Sequence, residues 1–152
     1  MKIYFACGWF DKQQSNHEEI LFKHIKEYFN DTFRPRTDNN INKSLFNDFN
    51  ERQNGFNNNI KQIKKADIII ANITSRDSGT LFEVGFAYAL KKPILLFDWL
   101  LNNKKPNLML AFAGKLGLAT DLTKFVHKLQ YLSKLKVRKI KKINDIYKGN
   151  VE

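Results

Sequence analysis

Two carboxylates carry the strongest chemical suggestion in this chain. They are Asp77 and Glu83, six residues apart in RDSGTLFEVGFAYAL, Arg76 to Leu90. Glu83 sits between Phe82 and Val84, in a stretch otherwise apolar enough to be buried. An ionised carboxylate at the rim of an apolar crevice is a usable nucleophile. A second carboxylate nearby could face the same ligand. The bland alternative has the same spacing: Thr80 and Glu83 match a capping box, in which the glutamate only closes a helix start. Both readings stay open on the sequence. A helix start would also favour negative charge, which predicts an ionised Glu83.

Other residues are less telling. Cys7 is the single cysteine, which excludes an intrachain disulfide, and it reads as a buried thiol at a strand end. Tyr4 fits plain core or a functional hydroxyl equally. Trp9 and Phe10 follow Gly8 at a strand end, where aromatic rings would either stack on a flat ligand or plug the sheet edge. His17 and His24 could share a helix face, but two histidines make no metal site. There is no glycine-rich dinucleotide motif, no P-loop, no paired CxxC and no Ser-His-Asp order.

The elements that must place these residues are legible. Lys2 to Cys7 and Asp67 to Ile73 read as strands buried on both faces. Asp67–Ile73, the loop Thr74–Ser78, a helix over Gly79–Leu90 and a strand over Pro93–Phe97 form a βαβ unit. That implies a parallel sheet with a right-handed crossover. Ligands of such sheets bind beyond the carboxyl ends of the strands, where Asp77, Ser78 and Gly79 fall. Gly79 would admit a ligand close to the backbone. Elsewhere the spacing predicts a helix over Glu18–Phe29, a short strand at Arg34–Thr37 and a polar loop at Asp38–Asn40. One or two helices should span Leu45–Lys65, interrupted near Gly55. A short helix over Asn107–Ala113, a strand at Leu116–Ala119 and a helix capped by Asp121 follow. Lys134–Lys142 shows no clear periodicity. No repeat, linker or boundary divides the chain, so one domain over residues 1–152 is expected.

The formal net charge is +11. Nine Lys or Arg against one acid, Asp145, fall between Lys124 and Lys148. A solvated basic face explains this without a nucleic-acid partner, although a polyanion site is the competing reading. No apolar run is long enough to cross a membrane, and no signal segment is evident, so a cytoplasmic protein is the expectation.

Taken in order, IYFACGWF, NNNIKQIKKADIIIANI, DSGTLFEVGFAYAL, PNLM (Pro106–Met109) and YKGNV (Tyr147–Val151) resemble the nucleoside 2-deoxyribosyltransferase family. The resemblance implies a single α/β domain, a flavodoxin- or Rossmann-like parallel sheet flanked by helices. It implies transfer of a 2-deoxyribosyl group between nucleobases through a covalent intermediate on Glu83. Asp77 would then contact the base and help protonate it, and Tyr4 would orient the nucleophile. Gly8, Trp9, Phe10, Asn59, Ser78 and Gly79 would line the substrate site. Asn107 and Met109 would serve a neighbouring subunit's pocket, making the protein a homo-oligomer, a dimer or hexamer. Deoxynucleosides and free nucleobases are the implied partners, with no cofactor and no metal. Two departures stand out: Asn59 occupies a position where the family usually has aspartate, and Glu152 follows the tail where an aromatic residue is usual. The related alternative is a hydrolase of deoxynucleoside 5′-monophosphates. It would need cationic or hydroxyl groups for the phosphate; Ser78 and Thr80 could serve, but the sequence shows no basic cluster beside the motif. A non-catalytic nucleotide- or polyanion-binding module is the remaining class.

Overall fold

The structure is a computed structural model that describes residues 1–39, 48–100 and 105–152. The expected loop residue Asn40 and the helix start at Leu45 and Phe46 lie outside the described residues. In chain order the elements are β1 (Ile3–Cys7), α1 (Lys12–Tyr28), β2 (Thr32–Phe33), α2 (Pro35–Asp38), α3 (Phe49–Lys65) and β3 (Ile68–Asn72). They continue with α4 (Ser78–Ala89), β4 (Ile94–Phe97), α5 (Leu108–Ala113), β5 (Leu118–Ala119), α6 (Leu122–Ser133) and α7 (Val137–Ile140).

All strand pairs are parallel, in the order β2-β1-β3-β4-β5. This is the α/β architecture expected from the βαβ signal, in the flavodoxin-like strand order. The strands are apolar because both faces are covered. Period-2 alternation sends Ile3, Phe5, Ile68, Ile70, Leu95 and Phe97 into one layer with α1, α6 and α7. Tyr4, Ala6, Ile69, Ala71, Ile94 and Leu96 point into the other, against α3, α4 and α5. The chain winds outward from β1 to β2, then returns to place β3 on the other side of β1. That reversal opens a crevice at the carboxyl ends of β1 and β3.

Three local expectations are corrected. Arg34–Thr37 is not a strand: β2 ends at Phe33, and Pro35 starts α2 at a position where its fixed φ and missing N–H suit a helix. The helix expected at Glu18 begins at Lys12, because the Asp11 side chain accepts from the Gln14 amide. Helix α3 runs unbroken through Gly55, which is buried. The short helix near Asn107, the strand ending at Ala119 and the Asp121 cap appear as read. Lys134–Lys142, without clear periodicity, holds the single turn α7.

Candidate active site

The loop after β3 sets the geometry. Its first turn is pinned by Asn72, whose Oδ1 accepts from the Thr74 amide at 3.2 Å and hydroxyl at 2.6 Å. Arg76 then adopts φ 55°, a left-handed conformation unusual for a side-chain-bearing residue. Its guanidinium reaches the Ile73 carbonyl and the carboxylate of the fully buried Asp98, at 2.7 Å to Oδ2. Asp77 follows as the N-cap of α4. Its Oδ2 accepts from the Thr80 amide at 2.8 Å and the Thr80 hydroxyl at 2.9 Å.

This cap overturns the Thr80–Glu83 capping box. With Asp77 closing the helix, Glu83 is released from that duty. Its Oε1 accepts from the Tyr4 hydroxyl at 2.5 Å and, in a longer bond of 3.4 Å, from the Asn59 amide. Both bonds fall on the same oxygen. Oε2 has no hydrogen bond among the described residues. Burial pushes the Glu83 carboxyl up to about 7, against the Tyr4 hydrogen bond that lowers it, and the charge of Asp77 adds to the rise. The expectation that the helix start helps keep Glu83 ionised is corrected: desolvation outweighs any such help. Tyr4 is fully buried, and burial first, then the Glu83 charge, drives its phenol far above the ordinary range. It remains a donor throughout the physiological pH range. Tyr4 is thus a core residue whose hydroxyl reaches Glu83.

Glu83 borders a cavity of about 310 Å³. Trp9, Phe10, Asn59, Asp77 and Gly79 also line this cavity. The Trp9 and Phe10 rings stack on each other with centroids 4.9 Å apart, and Phe10 is 67% exposed. That favours the stacking surface over the plug. Gly8 has no side chain for a reason: a Cβ there would lie 3.0 Å from the Asp77 Cβ and from Gln14 Oε1. Cys7 also borders the cavity; burial pushes its thiol up to about 12, so it stays protonated at neutral pH. Ser78 is exposed on the first turn of α4 and does not line the cavity.

Asn107 and Met109 lie elsewhere. Asn107 caps α5 through the Met109 amide at 3.0 Å, and Met109 projects, with Leu108, Phe112 and Tyr88, into a separate exposed hollow. The C-terminal tail folds back onto this segment: the Leu108 amide donates to the Glu152 carbonyl at 3.0 Å, and the Glu152 amide to the Pro106 carbonyl at 3.1 Å.

Several cavity residues carry no signal in the sequence. Arg36 comes from α2, and Arg52 and Phe56 from α3. The sequence shows no basic cluster beside the motif, and these arginines reach the cavity from other elements. Neither arginine belongs to a recognisable pattern, so only the fold could find them. The basic excess also collects far from this cavity, in a hollow lined by Lys91, Lys92, Lys115 and Lys141. Among the described residues no group of three or more His, Cys, Asp or Glu could hold a metal, and no helix is long and apolar enough to cross a membrane.

A family model described as nucleoside 2-deoxyribosyltransferase matches residues 3–129. Among solved structures, the chain is similar to a 2-deoxyribosyltransferase from the psychrotolerant bacterium Bacillus psychrosaccharolyticus. Identity is 25%, the TM-score is 0.76, and the match covers 97% of this chain and 99% of that one. A conserved protein from Enterococcus faecalis V583 shares the fold at 19% identity and TM-score 0.70, over 87% of this chain and 98% of that one. No curated protein matches.

Proposed function

Because the chain belongs to the nucleoside 2-deoxyribosyltransferase family, we propose that it moves a 2-deoxyribosyl group from one nucleobase to another, a salvage reaction, with Glu83 as nucleophile. The observation that supports this most is the asymmetric holding of Glu83. Tyr4 and Asn59 bond Oε1, leaving Oε2 for attack beside an aromatic-lined cavity. In the reaction Oε2 forms a bond to the anomeric carbon as the glycosidic C–N bond breaks. The electron pair of that bond leaves with the base nitrogen. Asp77 lies on the same cavity and assists the departing base with a hydrogen bond or proton. A second base then attacks the anomeric carbon from the vacated side and the glutamate leaves, so two inversions give net retention. Trp9 and Phe10 hold the flat base by stacking. Asn107 and Met109, exposed away from the cavity, complete the site of a second copy in a homo-oligomer.

Arg36 and Arg52 favour a second reading, hydrolysis of deoxynucleoside 5′-monophosphates, because either could meet a phosphate. Arg36 is already matched by Glu18 and Glu19, at 3.1 Å each. That leaves Arg52 as the main cation for a dianion, and the transferase reading is the stronger.

The test is chromatography of products from deoxyinosine with adenine or cytosine, and from a deoxynucleoside monophosphate in parallel. New deoxynucleosides are the expected products. Free deoxyribose despite excess acceptor, or turnover of the monophosphate alone, would move the assignment to hydrolysis. Glu83→Ala should lose at least about 10⁴-fold in rate, as removal of a nucleophile commonly does. Appreciable residual transfer by that variant would exclude Glu83 as nucleophile.

A further inference from the structure

Behind Glu83 runs a line of four side-chain amides. Gln62 Nε2 donates to Asn58 Oδ1 at 3.2 Å, and Asn58 Nδ2 donates to Asn39 Oδ1 at 2.8 Å. Asn39 Nδ2 donates to Asn59 Oδ1 at 2.8 Å, and Asn59 Nδ2 donates to Glu83 Oε1 at 3.4 Å. Every amide gives its N–H in the same direction. We propose that Asn39, Asn58 and Gln62 are positioning residues. With Asn59 they form a one-way hydrogen-bond chain that aims an N–H at Glu83 and holds it as the attacking carboxylate. The inference rests on the reading of Glu83 as nucleophile.

The direction has a physical origin. A carboxylate only accepts, whereas an amide has a donating end and an accepting end. An ionised Glu83 therefore selects the N–H end of Asn59. The carbonyl of Asn59 must then find a donor, and Asn39 supplies it. The same logic passes to Asn58 and to Gln62, whose buried Oε1 has no hydrogen-bond partner among the described residues. Turning one interior amide around would set oxygen against oxygen at one of its contacts. Linked bonds polarise one another, so the final N–H is a better donor than an isolated amide. The chain also joins two helices, because Asn39 closes α2 while Asn58, Asn59 and Gln62 belong to α3. Asparagine is a poor helix former, and Asn57, Asn58 and Asn59 stand in succession within α3. Two of these three are accounted for by the chain.

This recasts Asn59. Its carbonyl and one amide hydrogen are engaged with protein, so its main work is on the nucleophile rather than on the base. An aspartate in its place would put a second carboxylate 3.4 Å from Glu83 Oε1, and one of the two would then retain a proton near neutral pH.

The other groups around Glu83 are Tyr4 and Cys7 from β1, Asp77 at the cap of α4, Arg36 from α2 and Arg52 from α3. None of them is altered by cutting the chain at Asn39. The experiment compares kcat/KM for transfer against pH in the parent protein, Asn39→Ala, Asn58→Ala and Asn59→Asp. In parallel, the Glu83 carboxyl carbon is titrated by NMR in ¹³C-labelled protein, its resonance assigned with Glu83→Gln. Asn39→Ala should move both the acid limb and the NMR titration upward by about half a unit to one unit, with most activity restored at high pH. Asn58→Ala, one link further out, should move them less and in the same direction. Asn59→Asp should move them most. If Asn39→Ala does not fold, Asn58→Ala decides alone. A uniform loss at all pH values, or a rise confined to KM for the acceptor base, with no shift in the NMR titration, overturns the chain. Retained transfer by Glu83→Gln instead overturns the nucleophile, and the NMR titration still judges the chain.

Discussion

Glu18 and Glu83 are the same side chain, both withdrawn from water, with different company. Glu18 is 2% exposed and meets two guanidinium groups. Arg34 Nε and Nη2 reach its oxygens at 2.5 Å each, and Arg36 approaches at 3.1 Å. The hydrogen bond to Glu18 leads the causes that drive Arg34 above its ordinary range, against burial. Glu83 meets a phenol and an amide, with no cation bonded to it among the described residues. A guanidinium beside a carboxylate fixes its charge and ties up its lone pairs. Neutral donors stabilise charge less and leave the group able to change state. The contrast separates a carboxylate tied to two guanidinium groups from one that keeps an oxygen without a hydrogen bond among the described residues, as the proposed nucleophile requires.

The largest test of that contrast is Glu18→Ala. It leaves Arg34 buried with only Glu19 as counter-charge, at 2.7 Å. Stability should fall by about 3 kcal/mol, the low end for a broken buried pair. Urea unfolding reads the loss, and the acid limb of the activity profile should stay in place. A shifted limb would erase the distinction between the two glutamates.

Glu83→Gln should do the reverse. The folded carboxyl titrates near 7 against 4.5 for the ordinary group. Between those values the folded protein holds a proton that the unfolded chain has released. Stability therefore falls as pH rises through that window, and above it the folded state bears the full cost of a desolvated charge. The glutamine variant escapes this cost. It should be more stable than the parent by up to about 3 kcal/mol at pH 8, with the advantage vanishing near pH 4. Thermal melts across pH would show the difference, and equal melting temperatures at pH 8 would contradict it.

The smallest effect sharpens the role of Tyr4. Tyr4→Phe removes the 2.5 Å bond that favours the ionised carboxylate. Transfer near pH 7 should drop about tenfold, from the value of one hydrogen bond to a charged group. Activity should recover as pH rises. A loss independent of pH would make the hydroxyl a packing feature only.

Much of this arrangement was legible before any coordinates. Ile68–Ile70 could only be a buried strand, and Asp77, Gly79 and Glu83 fall where a parallel sheet presents its ligand crevice. What escaped depended on distant partners. Glu18 reads as one more polar residue of an amphipathic helix, because Arg34, which buries it, belongs to another element. Thr80 reads as the cap, and Asp77 takes that place because the chain leaves β3 along a path that brings its carboxylate to the Thr80 amide. Arg36 and Arg52 reach the cavity only because α2 and α3 fold over it. Resemblance alone points to Asn59, and the amides of Asn39 and Asn58 carry no pattern until the helices that bear them meet.

The cap at Asp77 has a practical consequence for redesign. One oxygen of this carboxylate starts the helix that carries Glu83, so the two carboxylates that border the cavity are joined by a short rigid strut. Widening the pocket by truncating Asp77 would loosen the mounting of the nucleophile at the same time. Asparagine caps a helix as well as aspartate does, so Asp77→Asn removes the charge and keeps the strut. If Asp77 protonates the departing base as proposed, this variant should transfer far more slowly while Glu83 stays in register, which separates the two duties of the carboxylate.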